Sequence, residues 1–189
     1  MRQRMSAFCR TFRLLAISAL GLTTSVCFAT EGPARLVGRF PGDDLKIANG
    51  WKLYDNFKYE YHICYPYKLL KSQGEPDAGD GQEFIARDGG KLVVFGSFNV
   101  EEQTLSQIVE SYTADLVKRG HVTYRVMRSD WAVISGDDGR DRFFYSKTIK
   151  RSDEIAIFQL TYPKGQASRY KAITARLTRC FAHIHVEGR

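Results

Sequence analysis

The sequence predicts an α+β domain built on antiparallel strands. Three observations carry this reading. Runs of period-two alternation recur between residues 51 and 162, short turn signals join them, and only two segments show the spacing of an amphipathic helix. Strands linked by tight turns pair antiparallel, and two helices with one apolar face each can cover such a sheet.

Each element has its own signal. Trp51 opens the domain. Tyr59, Tyr61, Ile63 and Tyr65 alternate with Lys58, Glu60, His62 and Cys64, which makes a strand that Pro66 ends. Residues 71–82 carry Gly74, Pro76, Gly79 and Gly81 between acidic residues and read as a loop. Phe84 to Ala86 is a short strand, Asp88-Gly89-Gly90 a hairpin turn, and Lys91 to Phe98 a strand around the apolar run Leu92 to Phe95.

The first helix begins at Thr104, an N-cap residue with Gln107 three positions on, the pattern of a capping box. Leu105, Ile108, Val109, Tyr112, Leu116 and Val117 share one face. Lys118 and Arg119 suit the negative end of the helix dipole, and Gly120 reads as the C′ residue that ends it. Strands follow at Val122–Met127, Trp131–Ser135, Arg142–Ile149 and Ile155–Tyr162, the last three as a meander turned by Asp137-Asp138-Gly139 and Arg151-Ser152-Asp153. Pro163 and Gly165 close it. A second helix covers Ala167 to Ala182, with Tyr170, Ile173, Leu177 and Phe181 on one face.

Ahead of this domain lies a targeting segment. Arg2, Arg4, Arg10 and Arg13 precede an apolar run from Leu14 to Leu22, and Cys27-Phe28-Ala29 is a small-x-Ala cleavage pattern. Residues 1–29 therefore read as a signal peptide cleaved after Ala29, with an apolar core too short for a permanent span. Lipidation at Cys27 is the competing reading, but Val26 is a poor residue to precede a lipidated cysteine. Residues 30–50, rich in Gly and Pro, read as an extended leader, and residues 51–186 as one α+β domain.

Export changes the charge argument. The chain carries 28 basic and 21 acidic residues, a net of +7; four arginines leave with residues 1–29, so 24 basic residues face 21 acidic ones, a net of +3. Lys and Arg alternate with Asp and Glu, which excludes the concentrated basic face of a nucleic-acid binder. Two cysteines remain, Cys64 and Cys180. In an oxidising compartment their simplest fate is a disulfide, which needs the last helix to lie across the first long strand.

The succession of elements resembles the Mog/PsbP-like fold family, an α/β/α sandwich. The residues that carry the likeness are Tyr61-x-Ile63-Cys64-Tyr65-Pro66, the strand pair at 84–98, the helix from Thr104 to Gly120, the meander with Trp131 and Gly136, and Tyr162-Pro163 before the helix from Tyr170 to Cys180-Phe181. It spans about residues 51–184. The resemblance implies a fold whose bacterial members are often exported or lipid-anchored, others acting as adaptors, chaperones or assembly factors. It carries over no catalytic residue set, and a fold does not name a function.

Four constellations could carry chemistry. His62 and Cys64 share a strand face, and Cys180 and His183 lie three apart, so a zinc site of two thiolates and two imidazoles is the alternative to a disulfide, with His185 as a further donor. Asp77, Asp80 and Glu83 in one loop, and Asp137, Asp138 and Asp141 in another, have calcium-type oxygens at spacings that equally serve tight turns. Nucleophilic catalysis has little support: Gly96-Ser97 does not extend to a nucleophile elbow, and Cys64 with His62 or His121 competes with the disulfide. Trp51, Tyr54, Phe57 and Tyr59 crowd the domain's start as core, strand or binding-surface residues.

The expectation is an exported, non-enzymatic periplasmic domain that binds a protein or envelope component, as an assembly factor, adaptor or toxin-immunity protein. No cofactor and no nucleic acid enter it, and the membrane is met only in transit. The alternative is a metal- or small-ligand-binding protein using Cys64, Cys180, His62 and His183. A hydrolase built on the loop carboxylates ranks behind both.

Overall fold

A computed structural model describes residues 45–47 and 50–184. The signal peptide, its cleavage site after Ala29, Cys27 and His185 lie outside the described residues. In chain order the elements are β1 (Leu45–Ile47), β2 (Trp51–Asn56), β3 (Tyr61–Tyr65), β4 (Lys71–Ser72), β5 (Gly81–Ile85), β6 (Lys91–Phe98), α1 (Leu105–Val117), β7 (His121–Met127), β8 (Trp131–Asp137), β9 (Arg142–Arg151), β10 (Glu154–Pro163), α2 (Ala167–Cys180) and β11 (Ala182–His183). A 3-10 turn, Lys164–Gln166, leads into α2.

The strands form two antiparallel sheets. One has the order β1-β2-β3-β11, the other β4-β5-β6-β10-β9-β8-β7. Strand β10 lies mid-sheet between β6 and β9, and its alternation defines two faces. Ala156, Phe158 and Leu160 point into the main core, with Tyr61 and Ile63 of β3, Leu92 and Val94 of β6, and Leu177 of α2. Ile155 and Ile157 point the other way, onto Ile108 of α1. Phe144 of β9, with Ala132 and Ile134 of β8, packs on Leu105 and Val109 of that helix. A strand covered on both faces reads as a near-continuous apolar run, and β10 has that composition.

The architecture is α+β with antiparallel sheets and two helices, as read from the sequence. Four local readings change. The smaller sheet is an addition: the opening strand pairs with β2 and β11, and its Tyr61 and Ile63 share the main core with residues of the larger sheet. Tyr59 lies in a turn, because the Asn56 side-chain oxygen Oδ1 accepts the Tyr59 N–H at 3.0 Å and Glu60 adopts φ +49°. Leu45–Ile47, inside the stretch read as a leader, pairs with Trp51–Leu53. The last helix stops at Cys180, where Phe181 turns extended and delivers Ala182 and His183 to β3 as a strand.

Helix α1 starts as its sequence says. Gln107 N–H donates to the Thr104 hydroxyl, and the Gln107 side chain accepts the Thr104 N–H at 2.8 Å. Its end differs, since Gly120 is not left-handed. Glycine is required there because a Cβ would collide with the Asp137 carbonyl at the end of the neighbouring strand β8.

Candidate functional site

Cys64 and Cys180 are joined to each other, with Cα atoms 5.7 Å apart and 116 positions between them in sequence. Helix α2 packs on β3, and the buried Cys64 sits beside the Arg176 carbonyl of that helix. The two histidines are not gathered around the sulfurs as a metal set. His62 faces Asp55 across the β2–β3 ladder. Burial pushes its pKa down, and the Asp55 charge opposes that shift. His183 turns its Nδ1 toward the Glu60 carbonyl at 3.3 Å, while its Nε2 is buried without a hydrogen-bond partner. Burial first, then the Arg151 charge, lowers its pKa. Among the described residues no three His, Cys, Asp or Glu side chains converge as metal ligands.

The loop carboxylates serve their turns. Asp137 accepts the Gly139 N–H and pairs with Lys164, whose hydrogen bond holds the Asp137 carboxyl below its ordinary pKa. Asp138 accepts the Arg140 N–H at 2.9 Å and reaches Arg142. Glu83 pairs with Lys91 across the β5–β6 ladder. Asp80 contributes its carbonyl, accepting from the Tyr61 hydroxyl at 3.0 Å and from the Gly96 N–H at 2.8 Å.

The aromatic residues at the domain's start divide. Tyr54 is core, its hydroxyl donating to Glu75. Trp51 lies under the Arg176 guanidinium. Phe57 and Tyr59 belong to something else. Phe57 is 43% exposed, and Tyr59 sits half-buried against the 46% exposed Phe98 with ring centres 5.0 Å apart. Val100, in the next loop, is 85% exposed.

Three turns meet here. The β2–β3 turn carries Phe57 and Tyr59. The loop after β6 carries Val100 and Glu102. The β9–β10 hairpin carries Ser152. Asn99 N–H donates to the Asp153 carbonyl at 2.7 Å, and Arg151 pairs with Glu60, so each turn is tied to another. The Asn99 side chain bonds both backbone groups of Gln103, which makes its loop rigid. Glu60, Glu102 and Ser152 are three of the four described non-glycine residues with positive φ, one in each turn. Such conformations cost about 1–3 kcal/mol each and persist where the surroundings impose them. The sequence reading missed Phe98 and Val100. Their signal was an apolar pair flanking Asn99 before two glutamates, in a segment whose polarity marked only a loop.

No family model and no curated protein matches the chain. Among solved structures it is similar to the solution structure of cyanobacterial PsbP (CyanoP) from Synechocystis sp. PCC 6803, at 15% identity and a TM-score of 0.57, covering 78% of this chain and 98% of that one. The likeness shows the fold: residues of this chain adopt a PsbP-like α+β arrangement.

Proposed function

We propose that this chain is an exported, non-enzymatic domain that binds another protein of the cell envelope or a secreted protein, in an assembly, adaptor or toxin-immunity role. The observation that carries the reading is the apolar group Phe57, Tyr59, Phe98 and Val100, held outward by three mutually bonded turns. Large apolar side chains presented together on a rigid frame mark interaction sites. Backbone strain concentrated in the same turns agrees with a surface shaped for contact rather than for stability.

Two features support the compartment. A disulfide belongs to an oxidising environment. The first 29 residues have the order of a signal peptide, so the mature protein would begin at Thr30. No helix among the described residues is long and apolar enough to cross a membrane.

In-cell photo-crosslinking tests this. The full chain is produced with p-benzoylphenylalanine in place of Phe57, Phe98 or Val100, and with the exposed Gln73 replaced as control. One discrete adduct to an envelope or secreted protein from the first three positions, absent from the control, is the expected result. No adduct from any of the three, or the same adducts from Gln73, overturns the binding role. Retention of the chain in the cytoplasm with residues 1–29 intact overturns the export.

A further inference from the structure

The outer side of α2 has a composition that the folding of the helix does not explain. From Ile155 to Ile184 the sequence has no Asp or Glu, yet it carries Lys164, Arg169, Lys171, Arg176 and Arg179. Lys164 and Arg169, at the start, are answered by Asp137 and Asp88. No carboxylate of the described residues pairs with Lys171, Arg176 or Arg179.

Helix physics would place these charges otherwise. The N-terminal end of a helix carries the positive pole of its dipole, so anions stabilise it and cations do not. Helix α2 has no acidic residue in its first turn and no side-chain cap there, and Arg169 and Lys171 load that half with positive charge. At the other end cations are favourable, and one from another element already sits there. Lys147 of β9 donates to the carbonyls of Thr178 and Phe181 at 2.9 and 3.2 Å. Arg179 stands exposed beside them.

Arg176 is positioned rather than loose. Its guanidinium lies 4.4 Å over the Trp51 ring. A guanidinium stacked on an aromatic face keeps its N–H edge free, in the planar fork that matches a carboxylate.

We infer that the solvent face of α2, with Lys171, Arg176 and Arg179 and with Trp51 beneath, is a docking surface for an acidic polypeptide segment. Charge complementarity identifies the occupant. The arginines offer forked donors suited to carboxylates, along a helix of 14 residues. The other outward residues of α2 are Ser168, Ala172 and Ala175, which are small and offer no wedge for a lipid layer. Among the described residues none of the large exposed apolar side chains lies on α2; Phe57, Phe98 and Val100 belong to the three turns described above, and Ile85, Tyr112, Val122 and Tyr124 to other elements. This surface is separate from those turns and does not rest on the reading proposed for them.

The test uses the purified full-length protein with its disulfide intact. Its probe is a fluorescein-labelled poly-glutamate peptide followed by anisotropy. Binding is expected at low ionic strength and should weaken with salt, as exposed charge pairs do. The variant K171Q/R176Q/R179Q should lose affinity by about tenfold or more, whereas K118Q/R119Q/R128Q, which removes as many charges outside α2, should stay within about twofold. Melting curves check that both variants fold. Should the first fail to fold, arginine side-chain NMR of the unmodified protein replaces it, and poly-glutamate must shift the Arg176 and Arg179 Nε–H signals.

Absence of binding at low salt overturns the inference, as does an equal loss in the two variants. Tighter binding to phosphatidylglycerol vesicles, or to single-stranded DNA, than to poly-glutamate also overturns it, in favour of those partners. The crosslinking result at Phe57, Phe98 and Val100 is independent of every one of these outcomes.

Discussion

Opening the Cys64–Cys180 bond is the perturbation whose size follows most directly from the structure. The bridge spans 116 positions. In the chain-entropy model a loop of that length removes about 16 cal/mol/K from the unfolded ensemble, or about 5 kcal/mol at 25 °C. Small domains are stable by about 5–15 kcal/mol, so reduction should remove a third or more of the total. The Cα separation of 5.7 Å lies in the usual range for bridged cysteines, so the native backbone need not move when the bond opens. The loss then falls mainly on the unfolded side. Urea denaturation of the oxidised protein, with and without a phosphine reductant, measures it. C64A/C180A should match the reduced form. Beyond the lower midpoint, the denaturant slope should rise, because an unbridged chain exposes more surface on unfolding. A melting temperature lower by about 15 °C is the thermal counterpart. A loss under about 1 kcal/mol with an unchanged slope would refute the reasoning, since the bridge would then restrain nothing that the fold does not already restrain.

Three smaller predictions follow from other contacts. G120A should cost about 1–3 kcal/mol by overpacking against the Asp137 carbonyl, and G120N should cost at least as much. Asparagine tolerates the left-handed region, so a near-native G120N in denaturant unfolding would restore the C′ reading of that glycine. T104A should lose about 1 kcal/mol with the N-cap bond, and T104S should lose little, by the same measurement. His62 and His183 both have lowered pKa values in the fold, chiefly through burial. The unfolded chain therefore takes up protons first as pH falls below the ordinary histidine pKa of about 6.5, and stability declines from there down to the lowered native values. H62Q and H183Q should each flatten the stability curve across that window, and curves that superimpose on the wild type would refute the assignment.

What the sequence made legible follows from the range of the forces involved. The four strands from His121 to Pro163 and the capping box at Thr104 are set by neighbours within a few residues, and alternation or spacing reveals them. The β2–β3 turn was misread because Tyr59 continues the alternation of Tyr61 and Ile63, while what ends the strand is a side-chain bond from Asn56. Gly120 was given a local reason when its real constraint is a strand passing alongside. The second sheet escaped notice because β11 is two residues long and pairs with a strand far back in the chain. The surface of α2 was hidden by averaging: beyond residue 29, 24 basic residues nearly balance 21 acidic ones, and their separation shows only when the stretch after Glu154 is taken alone. At the three turns, Phe98 becomes a neighbour of Tyr59, and Arg151 of Glu60, only through the pairing of whole strands, which no window of sequence contains.

The covalent ring has an effect on how damage to this protein would register. The stretch from Gln73 to Ala78 lies exposed on the surface, and it falls inside the ring closed at Cys64 and Cys180. A protease that cuts there releases nothing. The two pieces stay tethered through sulfur, the mass rises by a single water, and the break appears only on a gel run with reductant. A cut ahead of Cys64 leaves its fragment held by noncovalent contacts alone. The position of the bond thus divides the chain into a part that can be nicked and retained and a part that can be trimmed away.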